Sequence, residues 1–169
     1  MKITVREMTV FSMLGAIMYV SKVVMEGIPN VHLIGVFTIA ITIVYRKKAL
    51  YAIYTFVFLQ GLFGGFSTWW LPYLYIWTVL WAGVMILPKN IPKKIAPIVF
   101  MLICSLHGFL YGTLYAPVQA LLFGLDFKQT IAWITAGFPY DCIHGVSNFF
   151  CGILIIPLVS ALKKADSHL

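Results

Sequence analysis

Long apolar runs, separated by short polar or turn-forming segments, dominate the chain. Six of the runs approach the ~20 residues that a helix needs to cross a bilayer, so the pattern predicts six membrane-spanning helices. They cover residues 7–26, 31–46, 49–66, 70–88, 95–123 and 138–162. The separating segments are EGIPN, RKK, GGFST, PKNIPKK and GLDFK, whose glycine, proline and charged residues are typical of turns.

The segment 128–136, KQTIAWITA, is too short and too mixed in polarity to span a bilayer. We expect it to form a re-entrant or interfacial piece that leads into the last helix. Because proline is favoured in the first turn of a helix, we expect Pro139 to mark the start of that helix. Residues 1–169 then form a single domain, a compact all-α bundle of six transmembrane helices with short loops.

Lysine and arginine residues cluster on one side of this predicted bundle. With six spans both termini lie on the same side, and most of the cations lie there too. They are Lys2, Arg6, Arg46, Lys47, Lys48, Lys89, Lys93, Lys94, Lys163 and Lys164. Only Lys22 and Lys128 lie near the other side. Positive residues favour the cytoplasmic side of a membrane protein, so we expect both termini in the cytoplasm.

The composition agrees with a membrane protein and excludes several other classes. The 169 residues are 62% hydrophobic and 10% charged, with a mean hydropathy of +0.96. The net charge of +7 is spread over the loops and forms no nucleic-acid patch. The three cysteines lie in apolar segments without a CxxC pair, so we expect neither a disulfide framework nor a metal site. A GxxxxGK[ST] motif is missing, so any ATP-driven function needs partner chains.

Ionisable residues inside the predicted spans mark candidate sites, because such groups are costly in hydrocarbon. Asp141, His144 and Asn148 are spaced by three and four residues, which places them within about 60° of one another on the last helix. They can form one wall of a binding site. Alternatively, Asp141 caps the first turn of its helix, while His144 and Asn148 bond to neighbouring helices.

Two other spans carry polar or aromatic faces with a period of four residues. The face of the fifth span consists of His107, Tyr111, Tyr115 and Gln119. A ridge of small residues runs beside it and favours helix packing: Gly108, Gly112, Ala116 and Ala120. The face of the fourth span consists of Trp69, Tyr73, Trp77 and Trp81, part of which can be an interfacial aromatic belt. Together the three faces predict one pocket that opens to the non-cytoplasmic side.

Such a pocket would stack a flat ring between tryptophan and tyrosine side chains and bind its edge through polar groups. The predicted substrate-binding residues are Tyr73, Trp77, Tyr111, Tyr115, Gln119, Asp141, His144 and Asn148. Because these faces contain no arginine, we expect a neutral or cationic heterocycle rather than a strongly anionic ligand. Lys22 or Lys128 can still serve a carboxylate.

The first helix carries a patch of small residues. Ser12 and Ala16 lie four residues apart, with Gly15 beside them. This spacing allows another helix to approach closely. The partner can be a helix of the same chain or of another chain.

The chain resembles the S components of energy-coupling factor (ECF) transporters, small membrane proteins that capture vitamins and related micronutrients in prokaryotes. The resemblance rests on the chain length, the predicted spans, the small-residue patch and the final segment GFPYDCIHGVSNFFCGILIIPL. Its most specific part is a Gly-x-Pro-x-Asp-x-x-His-x-x-x-Asn pattern that runs from Gly137 to Asn148. The resemblance implies a prokaryotic cell-membrane protein that binds its substrate from outside, chiefly through helices four to six and the outer loops, without a cofactor.

The resemblance also implies partners. In the family, an Ala-x-x-x-Ala motif on the first helix docks onto a transmembrane T component, which is coupled to two cytoplasmic ATPases. The matching positions here are Ser12 and Ala16, so serine replaces the first alanine. In many members a long loop after the first helix closes over the substrate. Because EGIPNVH is short, we expect closure by residues 61–70 or 124–138.

Two alternatives belong to other functional classes. One is a b-type haem or quinone anchor with His107 and His144 as axial ligands. The other is a membrane enzyme in which Asp141 and His144 act as an acid–base pair and Cys142 as a nucleophile. On a helix Cys142 points about 100° away from Asp141 and about 200° from His144. The geometry therefore disfavours the enzyme, and we expect a protein without catalytic residues.

Overall fold

Eight α-helices and three short 3-10 turns, without a β-strand, make up residues 3–167, the part of the chain that the computed structural model describes. The helices are α1 (Val5–Val24), α2 (Ile34–Tyr45), α3 (Ala49–Gly64), α4 (Tyr73–Ile86), α5 (Ala96–Phe109), α6 (Tyr111–Phe123), α7 (Phe127–Cys151) and α8 (Ile155–Ser167). Lys2, one of the cations used to predict the topology, lies outside the described residues.

Among residues 3–167, four helical segments are long and apolar enough to cross a membrane. They are Val5–Val24, Thr68–Ile86, Ala96–Phe123 and Phe127–Asp166. Helices α2 and α3 have 12 and 16 residues, fewer than the ~20 that a full span needs. The all-α fold class is thus confirmed, and the four segments fit a membrane protein. The number of six spans stays a prediction.

Helix α2 lies at the centre of the bundle. Its residues are buried almost all the way round, from Ile34 to Thr42, and it packs against α3, α4, α5 and α8. Helix α1 packs against α3, where Gly15 leaves no room for a side chain. A Cβ atom at Gly15 would lie 2.6 Å from Cβ of Thr55. The small-residue patch on α1 therefore serves, at Gly15, to bring two helices of this chain together.

The predicted last helix begins earlier than expected, and this part of the prediction is wrong. Residues 128–136 form neither a re-entrant nor an irregular piece, because they belong to the continuous helix α7. A capping box starts that helix: Asp126 Oδ1 accepts from the Gln129 N–H at 2.8 Å, and Gln129 Oε1 accepts from the Asp126 N–H at 2.9 Å. Pro139 consequently lies inside the helix rather than in its first turn.

The predicted fifth span is interrupted at Leu110, between α5 and α6. Close packing holds α5 against α7 just before this break. A Cβ atom at Gly108 would lie 2.8 Å from the backbone of Gly145, so only glycine allows this approach. The structure thus confirms the packing role of the small-residue ridge at Gly108.

Both ends of the described chain lie at one end of the bundle. Arg6 Nη2 donates to the carbonyl oxygen of Asp166 at 3.5 Å, and Lys48 forms an ion pair with Glu7. Arg46 Nη2 donates to the carbonyl oxygen of Met85 at 3.3 Å, which brings the end of α4 to the same place. We call this the charged end. The opposite end lies about 30 Å away, the length of the 20-residue helix α1.

Candidate functional site

The three faces predicted from the sequence meet around Trp77, in the half of the bundle away from the charged end. The ring centroid of Trp77 lies 5.9 Å from that of Tyr73, 5.5 Å from His107 and 6.1 Å from Tyr111. Tyr111 in turn lies 4.8 Å from the His144 ring. Helices α4, α5, α6 and α7 therefore bring together aromatic and imidazole rings that are far apart in the sequence.

A cavity of about 240 Å³ lies beside this cluster, and we call it the first cavity. Three of the predicted binding residues line it: Tyr73, Tyr111 and His144. The rest of the wall comes from the end of α1 and the connection that follows. These lining residues are Lys22, Met25, Glu26, Ile28, Pro29, Asn30, Val31 and His32.

A second cavity of about 420 Å³ adjoins the first and shares Lys22, Glu26 and Tyr73 with it. Its other lining residues are Tyr19, Val23, Gln60, Phe63, Gly64 and Trp69. The first cavity alone is smaller than the ~300–1,000 Å³ that is usual for small-molecule sites, whereas the second lies within that range. Because they share a wall, the two cavities form one candidate site, which we call the paired cavity.

The short connection between α1 and α2 forms one wall of the paired cavity. Ser147 Oγ of α7 donates to the carbonyl oxygen of Asn30 at 3.0 Å, which holds the connection against α7. His32 packs edge-on against His144, with ring centroids 4.6 Å apart. The prediction assigned closure to residues 61–70 or 124–138 instead. Part of the first range lines the second cavity, but no residue of 124–138 lines either cavity.

His32 lies in this connection, outside the four candidate membrane spans. Its Nδ1 atom accepts a hydrogen bond from the Ile34 N–H at 3.4 Å, at the start of α2.

Asp141 lies in the protein interior as predicted, but it does not line the paired cavity. Both of its carboxylate oxygens lie 3.0 Å from the backbone nitrogen of Gly112, whose N–H they share. Gly112 is the second residue of α6, so Asp141 caps the start of that helix from α7. The sequence suggested a capping role for Asp141 on its own helix, and the structure shows that the capped helix is a different one.

The other predicted residues contribute to the frame around the site. Asn148 Nδ2 donates to the carbonyl oxygen of Cys104 at 3.2 Å, between α7 and α5. The Tyr115 hydroxyl donates to the carbonyl oxygen of Trp69 at 2.8 Å, which joins α6 to the segment before α4. Trp77 is 1% exposed and lies beneath the cavity wall. Gln119 lies one turn beyond Tyr115 and outside both linings.

Several buried polar atoms near the site have no hydrogen-bond partner within the part of the chain that the structure describes. They include Gln60 Nε2, Trp77 Nε1, His107 Nδ1, His144 Nε2 and Asn148 Oδ1. Such an atom costs about 1–3 kcal/mol, so a native protein rarely leaves it unpaired without a reason. Gln60 and His144 line the paired cavity and are only 4% and 3% exposed. Trp77, His107 and Asn148 line neither cavity, so Gln60 and His144 are the two of this set that a small molecule bound there would adjoin.

The docking residues predicted on α1 lie on the outside of the bundle. Ser12 and Ala16 are both exposed, whereas Gly15 between them faces α3. Met13 and Ile17, beside them on the helix, are also exposed. The residues of the patch therefore have different surroundings. Gly15 packs within the chain, and Ser12 and Ala16 remain available to lipid or to another protein.

Sequence reasoning missed Gln60 and His32 as members of the site. Gln60 had a detectable signal, since it is a lone amide inside the apolar run FVFLQGLF. No group of three or more potential metal ligands occurs among residues 3–167. Comparisons of the chain with protein-family models, with curated proteins and with solved structures found no match.

Proposed function

We propose that this chain is the membrane-embedded substrate-capture component of an ECF-type, ATP-driven importer. It binds a vitamin or related micronutrient, a neutral or cationic heterocycle, and delivers it through a T component coupled to two ATPases. The paired cavity carries the proposal, because it combines aromatic rings with unpartnered polar groups at the end opposite the charged end. Tyr73, Tyr111, His144 and His32 are the proposed contacts in the first cavity.

The proposed orientation has six spans and both termini in the cytoplasm of a prokaryotic cell. The charged end supports it, because Arg6, Arg46 and Lys48 gather there with the two ends of the described chain. The paired cavity then faces the outside, where a nutrient is captured. Helices α2 and α3, which are short for full spans, are completed at their ends by the adjoining turns and connections.

Binding without ATP is the first test. Native mass spectrometry of gently purified protein should detect a bound small molecule, and equilibrium binding should be measured for that molecule in the absence of ATP. We expect Tyr73→Ala and His144→Ala to weaken binding, because both residues line the cavity. Tyr140→Ala is the matched control, since Tyr140 is 63% exposed on the same helix as His144. Wild-type affinity in both cavity variants would contradict the proposed site.

Complex formation is the second test. The chain should co-purify with a T component and two ATPases encoded in the same genome. Ala16→Trp should abolish this association, because it places a large ring on the exposed face of α1. Leu102→Trp on α5 is the control, since Leu102 is also exposed, at 54%, but lies on another helix. Equal association of the two variants would show that α1 is not the docking surface.

The haem or quinone anchor is less well supported by the packing. Tyr111 contacts both proposed axial ligands, with ring centroids 6.3 Å from His107 and 4.8 Å from His144. His107 Nε2 is also bonded to the carbonyl oxygen of Ile76 at 3.1 Å. The tyrosine ring thus occupies space that a macrocycle between the two imidazoles would need. A Soret band in the purified protein would nevertheless overturn the transport proposal.

A further inference from the structure

The paired cavity contains one positive and one negative side chain, Lys22 and Glu26. With histidine counted as neutral, the other residues that line the two cavities are uncharged. Lys22 and Glu26 each line the first cavity and the second cavity. They are four residues apart, at the end of α1 and just beyond it. Within residues 3–167 neither side chain forms a hydrogen bond or an ion pair with the protein. Each charge is therefore free to pair with a ligand.

The second cavity offers donors to an anionic group. Lys22 and Gln60 both line it, and the buried Nε2 of Gln60 has no partner in the described part of the chain. An amide nitrogen and an ammonium group are both donors, and together they suit the two oxygens of a carboxylate. Glu26 lines the same cavity and accepts only, so it suits a ligand ammonium group next to that carboxylate.

The first cavity offers an aromatic environment to the rest of the ligand. Its wall contains Tyr73, Tyr111, His32 and His144, and its volume of about 240 Å³ suits one or two fused rings. His144 Nε2 has no hydrogen-bond partner among residues 3–167 and can bond to a ring heteroatom or ring N–H. Aromatic rings favour edge-on or offset contacts with such a ligand ring.

We infer that the paired cavity binds an amino-acid-like zwitterion that carries an aromatic or heteroaromatic ring. The carboxylate lies between Lys22 and Gln60, the ammonium group faces Glu26, and the ring enters the first cavity. This inference rests on the proposed capture function and narrows its ligand to a net-neutral zwitterion. A zwitterion can pair with both the half-buried Lys22 and the exposed Glu26, whereas a ligand with a single charge can pair with only one of them.

The test compares probes that share a ring and differ in charge. L-tryptophan, L-histidine and L-phenylalanine are the zwitterions, tryptamine and histamine lack the carboxylate, and indole-3-propionate lacks the amine. Calorimetry on the full chain in nanodiscs should show binding of at least one amino acid, at least about tenfold tighter than its singly charged analogues. If no amino acid binds, or if the analogues bind equally well, the inference is wrong.

Two variants test the assigned partners. Lys22→Met should weaken binding of the zwitterion and of the carboxylate probe by about tenfold or more but leave the amine probe unchanged. Glu26→Gln should weaken binding of the zwitterion and of the amine probe but leave binding of the carboxylate probe unchanged. Lys128→Met is the control for a lost positive charge, because Lys128 lies on α7 outside both linings. Loss of affinity that does not depend on probe charge would contradict the assignment.

Failure of this inference can be told apart from failure of the proposed function. Thiamine and riboflavin, which are ring compounds without an amino-acid group, are added to the panel. Tight binding of either compound, without binding of any amino acid, would refute the zwitterion inference but would still agree with the proposed capture function. If the chain carries no small molecule and also fails to co-purify with a T component, the capture function itself is wrong.

Discussion

Replacing Asp141 by alanine tests whether this buried carboxylate builds the site or binds the ligand. The carboxylate is 6% exposed and accepts the Gly112 N–H with both oxygens at 3.0 Å. Alanine would leave that amide unsatisfied in an apolar interior, and a hydrogen bond to a charged group is worth about 1.5–3 kcal/mol. We therefore expect Asp141→Ala to lower the free energy of unfolding by about 2–3 kcal/mol.

Thermal unfolding in detergent measures this loss. For a chain of this length about 2–3 kcal/mol corresponds to a fall in Tm of about 4–12 °C. Asp141→Asn keeps an acceptor oxygen of the same shape, so it should cost only about 1 kcal/mol. Asp126→Ala is the matched control, because Asp126 also caps a helix but is exposed to solvent. Loss of that exposed cap should cost about 1 kcal/mol.

The order of the three variants decides the role of Asp141. The capping role requires Asp141→Ala to be the most destabilising and Asp141→Asn to keep wild-type ligand affinity within about twofold. A variant Asp141→Asn that folds with wild-type Tm but loses the ligand would refute the reasoning. It would mean that the carboxylate charge acts on the substrate and that the contact with Gly112 is incidental.

Three further substitutions test other contacts. Trp77→Ala should cost about 3–5 kcal/mol in chemical unfolding, because the ring is 1% exposed and its removal leaves a large void. Gly15→Val should lower Tm by several degrees, because the Cβ of the new valine would lie 2.6 Å from Cβ of Thr55. Val20→Ala, on the exposed face of the same helix, should leave Tm unchanged. Gln60→Leu should raise Tm of the ligand-free protein by removing an unpaired buried donor, yet weaken ligand binding in equilibrium titration; unchanged stability and affinity would contradict it.

Helical periodicity predicted which residues come together in the bundle more reliably than it predicted which of them border a cavity. The faces on the fourth, fifth and sixth predicted spans meet, because a polar or aromatic stripe in an apolar helix has to turn away from lipid. Tyr73, Trp77, Tyr111 and His144 accordingly lie in one cluster. Which of them border a cavity depends on side-chain packing between helices, and one sequence does not contain that information.

The errors at the last helix have a local cause that the sequence did contain. The run DFKQ, residues 126–129, is a capping box, in which an acidic or hydroxyl residue is followed three positions later by Glu or Gln. It predicts a helix start at Phe127, where α7 begins. Pro139 gave a stronger but misleading signal, because membrane helices tolerate proline in their interior. Gln60 likewise carried a local signal as a lone amide in an apolar run, whereas the contribution of His32 comes from contacts over long sequence distances and was not predictable in this way.

The polar groups of the interior divide into two sets by whether their hydrogen bonds are complete. The Asp141 carboxylate and the Tyr115 hydroxyl have protein partners, and each joins two helices around the cavity. Gln60 Nε2 and His144 Nε2 are buried and lack partners among the described residues, and both residues line it. A satisfied buried group stabilises the ligand-free fold, whereas an unsatisfied one destabilises it until a ligand binds. Substitutions in the first set should therefore lower stability first and affinity only as a consequence. Apolar substitutions in the second set should lower affinity without lowering the stability of the ligand-free protein, and this opposite response would identify the residues that contact the proposed substrate.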